Sequence, residues 1–255
     1  MHDEPFPDCV GFDPDNVRDV KSTGRDTIKP MGYFARNGDL PMMRWLYVNG
    51  ADTRDEDVVF CFPMYVATLQ GHLDVCKWLF AHGAAKDVKR RICKNHPSNI
   101  GYPNGRSPLT IAFHFGTLPT SMTSDWRDLS KWLILNGALC KDDDSGDLDI
   151  ETMKQDLIPP FRGGHVEERK LLLEWANDLH RARTSFLLFL SGALSDPQHG
   201  NSTRRNLSPL QQFSGEPGIR ELIGDYVGFV RGRKARIVRK LTEMLPNLIQ
   251  ELDGQ

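Results

Sequence analysis

A Pro-to-Gly interval of eight residues occurs three times in this chain: Pro30 to Gly38, Pro63 to Gly71 and Pro108 to Gly116. Each is followed by a Trp-Leu pair (Trp45-Leu46, Trp78-Leu79, Trp132-Leu133). A second glycine stands five residues after each Trp, at Gly50, Gly83 and Gly137. Trp45 and Trp78 are 33 residues apart, whereas Trp78 and Trp132 are 54 apart. The surplus of 21 falls as 12 residues between Gly83 and Pro108 and nine between Gly116 and Trp132. One fixed unit with two insertions therefore accounts for every interval, and a fixed period in this range marks a repeat architecture.

The unit reads as helix–turn–helix. Proline at the first helical position sacrifices no hydrogen bond and pre-sets φ. Gly38, Gly71 and Gly116 stand where a helix ends in a left-handed residue that only glycine adopts cheaply. Leu73, Val75, Cys76, Leu79 and Phe80 then form an apolar stripe at helical spacing. Asn49-Gly50, His82-Gly83 and Asn136-Gly137 close the second helix. Two short helices cannot bury their apolar faces alone, so neighbouring units are expected to stack. Trp45, Trp78 and Trp132, constant within the stripe, are read as buried inter-repeat core, with an exposed Trp column for binding as the alternative.

The pattern of Pro108-Leu109 with Ala112, of Gly71-His72-Leu73-Asp74-Val75, and of a closing Gly83-Ala84 resembles the ankyrin repeat over residues 29–142. Trp occupies a site that family usually fills with Leu, only Ser107 supplies the hydroxyl residue before the Pro, and Phe34 stands where Ala67 and Ala112 stand later. The resemblance implies an all-α, ankyrin-type helix-turn-helix solenoid with long loop insertions and a C-terminal helical cap. It also implies binding of another protein through repeat loops and the concave face of the first helices.

Around the repeats, residues 1–28 form an acidic arm with Asp3, Glu4, Asp8, Asp13, Asp15 and Asp19. The first insertion carries Lys86, Lys89, Arg90, Arg91, Lys94 and Arg106 against Asp87, with a turn-rich tip at Tyr102-Pro103-Asn104-Gly105. Lys89, Arg90, Arg91, Lys94 and Tyr102 are its candidate partner-binding residues. Residues 143–165 read as a solvated linker. The acids around Gly146 do not make a calcium loop, because that register puts Lys141 at the first ligand position and Thr152 at the twelfth. From residue 166 the chain reads helical, with a repeat-like start at Ser208-Pro209-Leu210. A final amphipathic helix carries Arg231, Arg233, Lys234, Arg236, Arg239 and Lys240 on one side. That basic side and the basic insertion define an alternative reading, a regulatory protein that binds nucleic acid or anionic lipid.

A net charge of −2 exerts no global pull toward polyanions. Five widely spaced cysteines, a start at Met1-His2-Asp3-Glu4 without a basic-then-apolar leader, and no apolar run of membrane-spanning length together predict an intracellular protein, cytoplasmic or nuclear. No nucleophile elbow, phosphate loop or paired-histidine metal motif occurs. Cys93-Lys94-Asn95-His96 has ligand spacing but no second pair to complete a zinc site. The expectation is a monomeric, non-catalytic scaffold without cofactor or metal.

Overall fold

In the computed structural model, residues 29–54, 62–92, 105–116, 125–141, 147–157, 166–194 and 232–253 are described. Each of the three prolines opens a helix: α1 (Pro30–Asn37), α3 (Pro63–Leu69) and α5 (Pro108–Gly116). Lys29 and Phe62, just before the first two, are extended, as steric contact with a following proline ring demands. Neither caps its helix through a side chain. Ser107 does so for α5, its Oγ accepting from the Thr110 amide at 3.1 Å while Thr110 Oγ1 accepts from the Ser107 amide at 3.2 Å.

Gly38 and Gly71 are left-handed, at φ 74° and 79°. The approach of the next helix pair also crowds any side chain there. A Cβ on Gly38 would lie 2.8 Å from the His72 ring, and one on Gly71 would lie 3.1 Å from the Trp126 ring. Both rings are held by hydrogen bonds back to the preceding unit: His72 Nε2 donates to the Arg36 carbonyl at 3.1 Å, and Trp126 Nε1 to the Thr68 carbonyl at 3.2 Å. Gly116 differs from expectation, since it is the last helical residue of α5 rather than a left-handed residue beyond it.

The second helices are α2 (Leu40–Val48), α4 (Leu73–Ala81) and α6 (Asp125–Leu135). One device ends all three. The residue four past each Trp turns its side chain back onto the Trp carbonyl: Asn49 Nδ2 at 2.8 Å, His82 Nδ1 at 2.7 Å and Asn136 Nδ2 at 2.7 Å. The glycine that follows, Gly50, Gly83 or Gly137, has positive φ in each case. The orphan carbonyls of a helix end are thus satisfied the same way in every unit.

Within the first compact unit (Met1–Leu139 with Ile150–His165), α1, α3 and α5 lie side by side. The α1–α2, α3–α4 and α5–α6 pairs form hairpins, and α4 neighbours α6. Pro63 to Thr68 of α3 and Pro108 to Phe113 of α5 are all buried. Ala67 and Ala112 are fully buried, and Phe34 fills the equivalent place in the first unit. From the second helices Met43, Leu46, Val75, Cys76, Leu79, Leu129 and Leu133 complete the core.

Trp45 departs from the reading of a buried Trp column. Trp45 is 38% exposed, and Trp78 and Trp132 are half-buried, whereas Leu46, Leu79 and Leu133 beside them are fully buried. A helix turns by about 100° per residue, so the Trp and the Leu of a pair point in different directions and one of them takes the centre of the buried face. The Leu does so, and the Trp lies along the flank between second helices.

Residues 143–165, read as linker, contain α7 (Ile150–Leu157), which packs against α5 and continues the row of first helices. Met153, Asp156 and Leu157 are its buried face. Only two of those three positions are apolar, too few for a legible stripe.

The second unit comprises Cys140–Asp149 and Val166–Gln255. Its Cys140 and Leu148 form an antiparallel bridge, with the Lys141 amide donating to the Asp147 carbonyl at 2.8 Å. Helices α8 (Val166–Leu194) and α9 (Arg233–Asp253) pack together. Leu172 and Ala176 of α8 and Ile237, Val238, Leu241 and Leu245 of α9 are buried. The repeat-like segment from Ser208 lies outside the described residues. Among the described residues no strand forms, and no helix is long and apolar enough to cross a membrane.

Cys76 is wholly enclosed, and burial pushes its thiol up to about 12, with the Thr68 hydroxyl opposing the shift. The thiolate is the species that alkylates. Peptide-resolved iodoacetamide labelling should therefore leave Cys76 unmodified in the native protein at pH 8 and modify it fully in guanidinium. Rapid native labelling would show that the second unit of the repeat row opens.

Candidate interaction surfaces

The basic insertion leaves the repeats through a fixed neck. After α4 the chain passes Gly83 into a short 3-10 helix (Ala84–Val88), and the Ile92 amide then meets the Arg106 carbonyl at 3.0 Å. Gly105, at φ 78°, closes the neck: a Cβ there would come within 2.1 Å of the Ile92 carbonyl oxygen.

Arg90 and Arg91, expected to face a partner, instead turn into the molecule. The Arg90 guanidinium sits 4.6 Å above the Phe62 ring, donates to the Arg54 carbonyl at 3.1 Å and lies 3.9 Å from the Asp87 carboxylate. Arg54 approaches the same buried carboxylate at 3.7 Å. Arg91 donates to Asp156 Oδ1 at 2.7 Å and to the Gly105 carbonyl at 3.0 Å. Buried carboxylates are tolerated only when paired or hydrogen-bonded, and these two arginines supply that pairing. Lys89 is half-buried at the base of the neck. Lys94 and Tyr102 lie outside the described residues.

Asp156 gathers the neck, α5 and α7 at one point. Its Oδ1 also accepts from Thr110 Oγ1 at 2.7 Å, and its Oδ2 accepts from Ser107 Oγ at 2.9 Å. Burial raises its carboxyl above the ordinary range, while Arg91 and the two hydroxyls pull the other way. One turn further along α5, burial and, secondarily, Arg106 hold His114 below the usual histidine range. With Ser107 and Asp156 both buried, this cluster is structural.

The basic helix is likewise less available than its sequence implies. The apolar side of α9 is already packed on α8, so it is not presented to a bilayer. Arg239 lies 3.8 Å from Glu243, and Lys240 donates to Asp147. Arg233 and Lys234 are half-buried in a first turn without an acid, and Arg231 lies outside the described residues.

Six consecutive residues of α3 and six of α5 are buried, so these stretches of the first helices leave no face open. Exposed apolar side chains collect on α2 instead. Tyr47 is 43% exposed and Val48 83% exposed, next to Trp45. The Tyr47 ring meets Trp78 edge-on at 5.7 Å and His82 at 5.2 Å, and His82 stacks on Trp78 at 4.4 Å. One unit along, Phe80 meets Trp132 at 5.5 Å. The residue two past one Trp thus packs on the Trp of the next unit, in both cases. A cation also precedes each of these three Trp residues, at Arg44, Lys77 and Lys131. This repeated basic-Trp-Leu signature is legible in the sequence and is missed when Trp is assigned to the core.

No family model, curated protein or solved structure matches the chain. Among the described residues, no group of three His, Cys, Asp or Glu side chains is placed to hold a metal ion.

Proposed function

We propose that this chain is a non-catalytic interaction module of the ankyrin type, built from three helix pairs, which binds another protein. The observation that carries the reading is the run of exposed aromatic and apolar side chains on adjacent second helices, Trp45, Tyr47 and Val48 on α2 with half-buried Trp78 on α4. Clustered exposed apolar side chains, rather than single scattered ones, mark contact surfaces, and Trp and Tyr are the side chains that most often anchor protein partners. The surface in this reading is the outer face of the second helices, since the buried stretches of α3 and α5 leave no face open. The glycine- and proline-set turns supply rigidity beneath it, which limits the entropy lost on binding.

A photo-crosslinking residue at Val48, with a second at Glu174 on α8 as control, tests this in extracts of the producing cells. The expected result is one protein adduct from Val48 that disappears with Tyr47→Ala and is absent from Glu174. The rival reading, binding of nucleic acid or anionic lipid through α9, predicts salt-dependent binding to DNA or phosphatidylserine vesicles, lost in Arg233→Glu/Lys234→Glu. That outcome, with no Val48 adduct, overturns the proposal.

A further inference from the structure

Resting on the reading of the second-helix face as a protein-binding surface, we infer that Arg44 and Lys77, with Tyr47, Val48 and Trp78, form a seat for an acidic segment of the partner. Its carboxylates would lie about 10 Å apart, matching the separation of neighbouring helices.

Charge comes first. Arg44 and Lys77 occupy the same place in successive units, one residue before the Trp, and both are exposed. Neither has an ion-pair partner among the described residues, whereas the third cation of the row, Lys131, is held by Asp128 at 3.2 Å. Nearby acids are engaged elsewhere: Asp39 accepts from the Met42 amide at 3.1 Å and Asp74 from the Val75 amide at 2.9 Å. Two unneutralised cations thus flank an exposed aromatic strip. Complementary carboxylates would gain charge-assisted hydrogen bonds there, while apolar side chains between them cover Tyr47 and Val48.

Geometry sets the spacing. The Tyr47–Trp78 ring contact shows α2 and α4 to be neighbours, and packed helices lie about 8–10 Å apart. Packing at that spacing would set Arg44 and Lys77 about 10 Å apart. A polyproline-type segment spans it in three residues at about 3.1 Å each, with both side chains on one face. A helix spans it in seven residues at about 1.5 Å each, again on one face.

Ring geometry argues against a single-stranded nucleic acid, the other polyanion that pairs basic and aromatic surfaces. Base stacking needs open ring faces. Here His82 lies against Trp78 at an interplanar angle of 20°, and Tyr47 meets both rings edge-on. What the strip leaves exposed suits aliphatic and aromatic side chains of a peptide.

The test is selection of a random 12-residue peptide phage library on the full chain, followed by fluorescence anisotropy with the selected peptides and with a dT20 oligonucleotide. Selected peptides should carry two Asp or Glu at one of the two spacings with an apolar residue between. Arg44→Glu/Lys77→Glu should weaken them about tenfold or more, at unchanged melting temperature, and Lys-for-Asp peptides should recover affinity for that variant. Peptides that lack acids, or that ignore the double reversal, overturn the acidic seat but leave the protein-binding reading standing if they still need Tyr47. Binding of dT20 that depends on Arg44 and Lys77 overturns the seat as well. Failure to select any peptide, together with no adduct from Val48, removes both.

Discussion

Asp156→Ala is expected to lower the unfolding free energy by about 3–5 kcal/mol, the range for removing one partner of a buried charged pair. The loss is large because the carboxylate serves three donors at once. Arg91, Thr110 and Ser107 all bond to it, and the two hydroxyls are buried away from bulk solvent. Asp156→Asn should cost less, since it keeps acceptor and shape. The sign of the pH effect follows from burial. A carboxyl raised on folding contributes fully below its unfolded value of about 3.9, and that contribution is lost as pH rises through the folded value. The advantage of the wild type over Asp156→Asn should therefore narrow with rising pH. Urea titrations at several pH values measure both quantities. A change below about 1 kcal/mol in Asp156→Ala would mean that α7 does not brace the third helix pair.

Leu79→Ala should destabilise the protein by about 2–5 kcal/mol, and Trp78→Ala, despite removing a larger side chain, by less than a fully buried Trp would cost. Leu79 is fully enclosed in the second helix pair, so truncation leaves a cavity that its neighbours only partly fill. Trp78 is half-buried, and what its removal loses is contact with Tyr47 and His82 on the flank. Because each unit is stabilised by its neighbours, unfolding of Leu79→Ala should also expose the first and third pairs. Thermal melts with tryptophan fluorescence compare the two variants. If Trp78→Ala proves the more damaging, the flank carries the fold and the assignment of core to the Leu position fails.

The helix pairs were legible because their signals are local. Pro30, Pro63 and Pro108 set φ at helix starts, and Gly38, Gly71, Gly50, Gly83 and Gly137 take a left-handed conformation required within a few residues of each helix end. Asn49, His82 and Asn136 cap from four residues away, so their roles also follow from spacing. The candidate surface was legible only in part. The same Trp positions that betray the repeat lie on its exposed side, and apolarity alone does not say which of two adjacent residues faces inward.

Arg90 and Arg91 show the other limit. In sequence they belong to a run of cations and look like a solvated, partner-seeking finger. Asp156, which Arg91 reaches, stands 65 residues further on, in a stretch that composition marks as linker. A buried acid and a solvated acid are the same letter, and only proximity in the folded chain separates them.

By itself, then, the sequence determined where the six helices of the three pairs begin and where most of them end. These follow from backbone stereochemistry that each residue carries with it. Tertiary structure decided which side of the unit is core and which cations are spent on buried carboxylates. It also decided that a short helix in the supposed linker packs against α5, and that Trp45, Tyr47 and Val48 of α2 stay exposed. Those outcomes depend on packing and desolvation between residues far apart in the chain, quantities that no local pattern encodes.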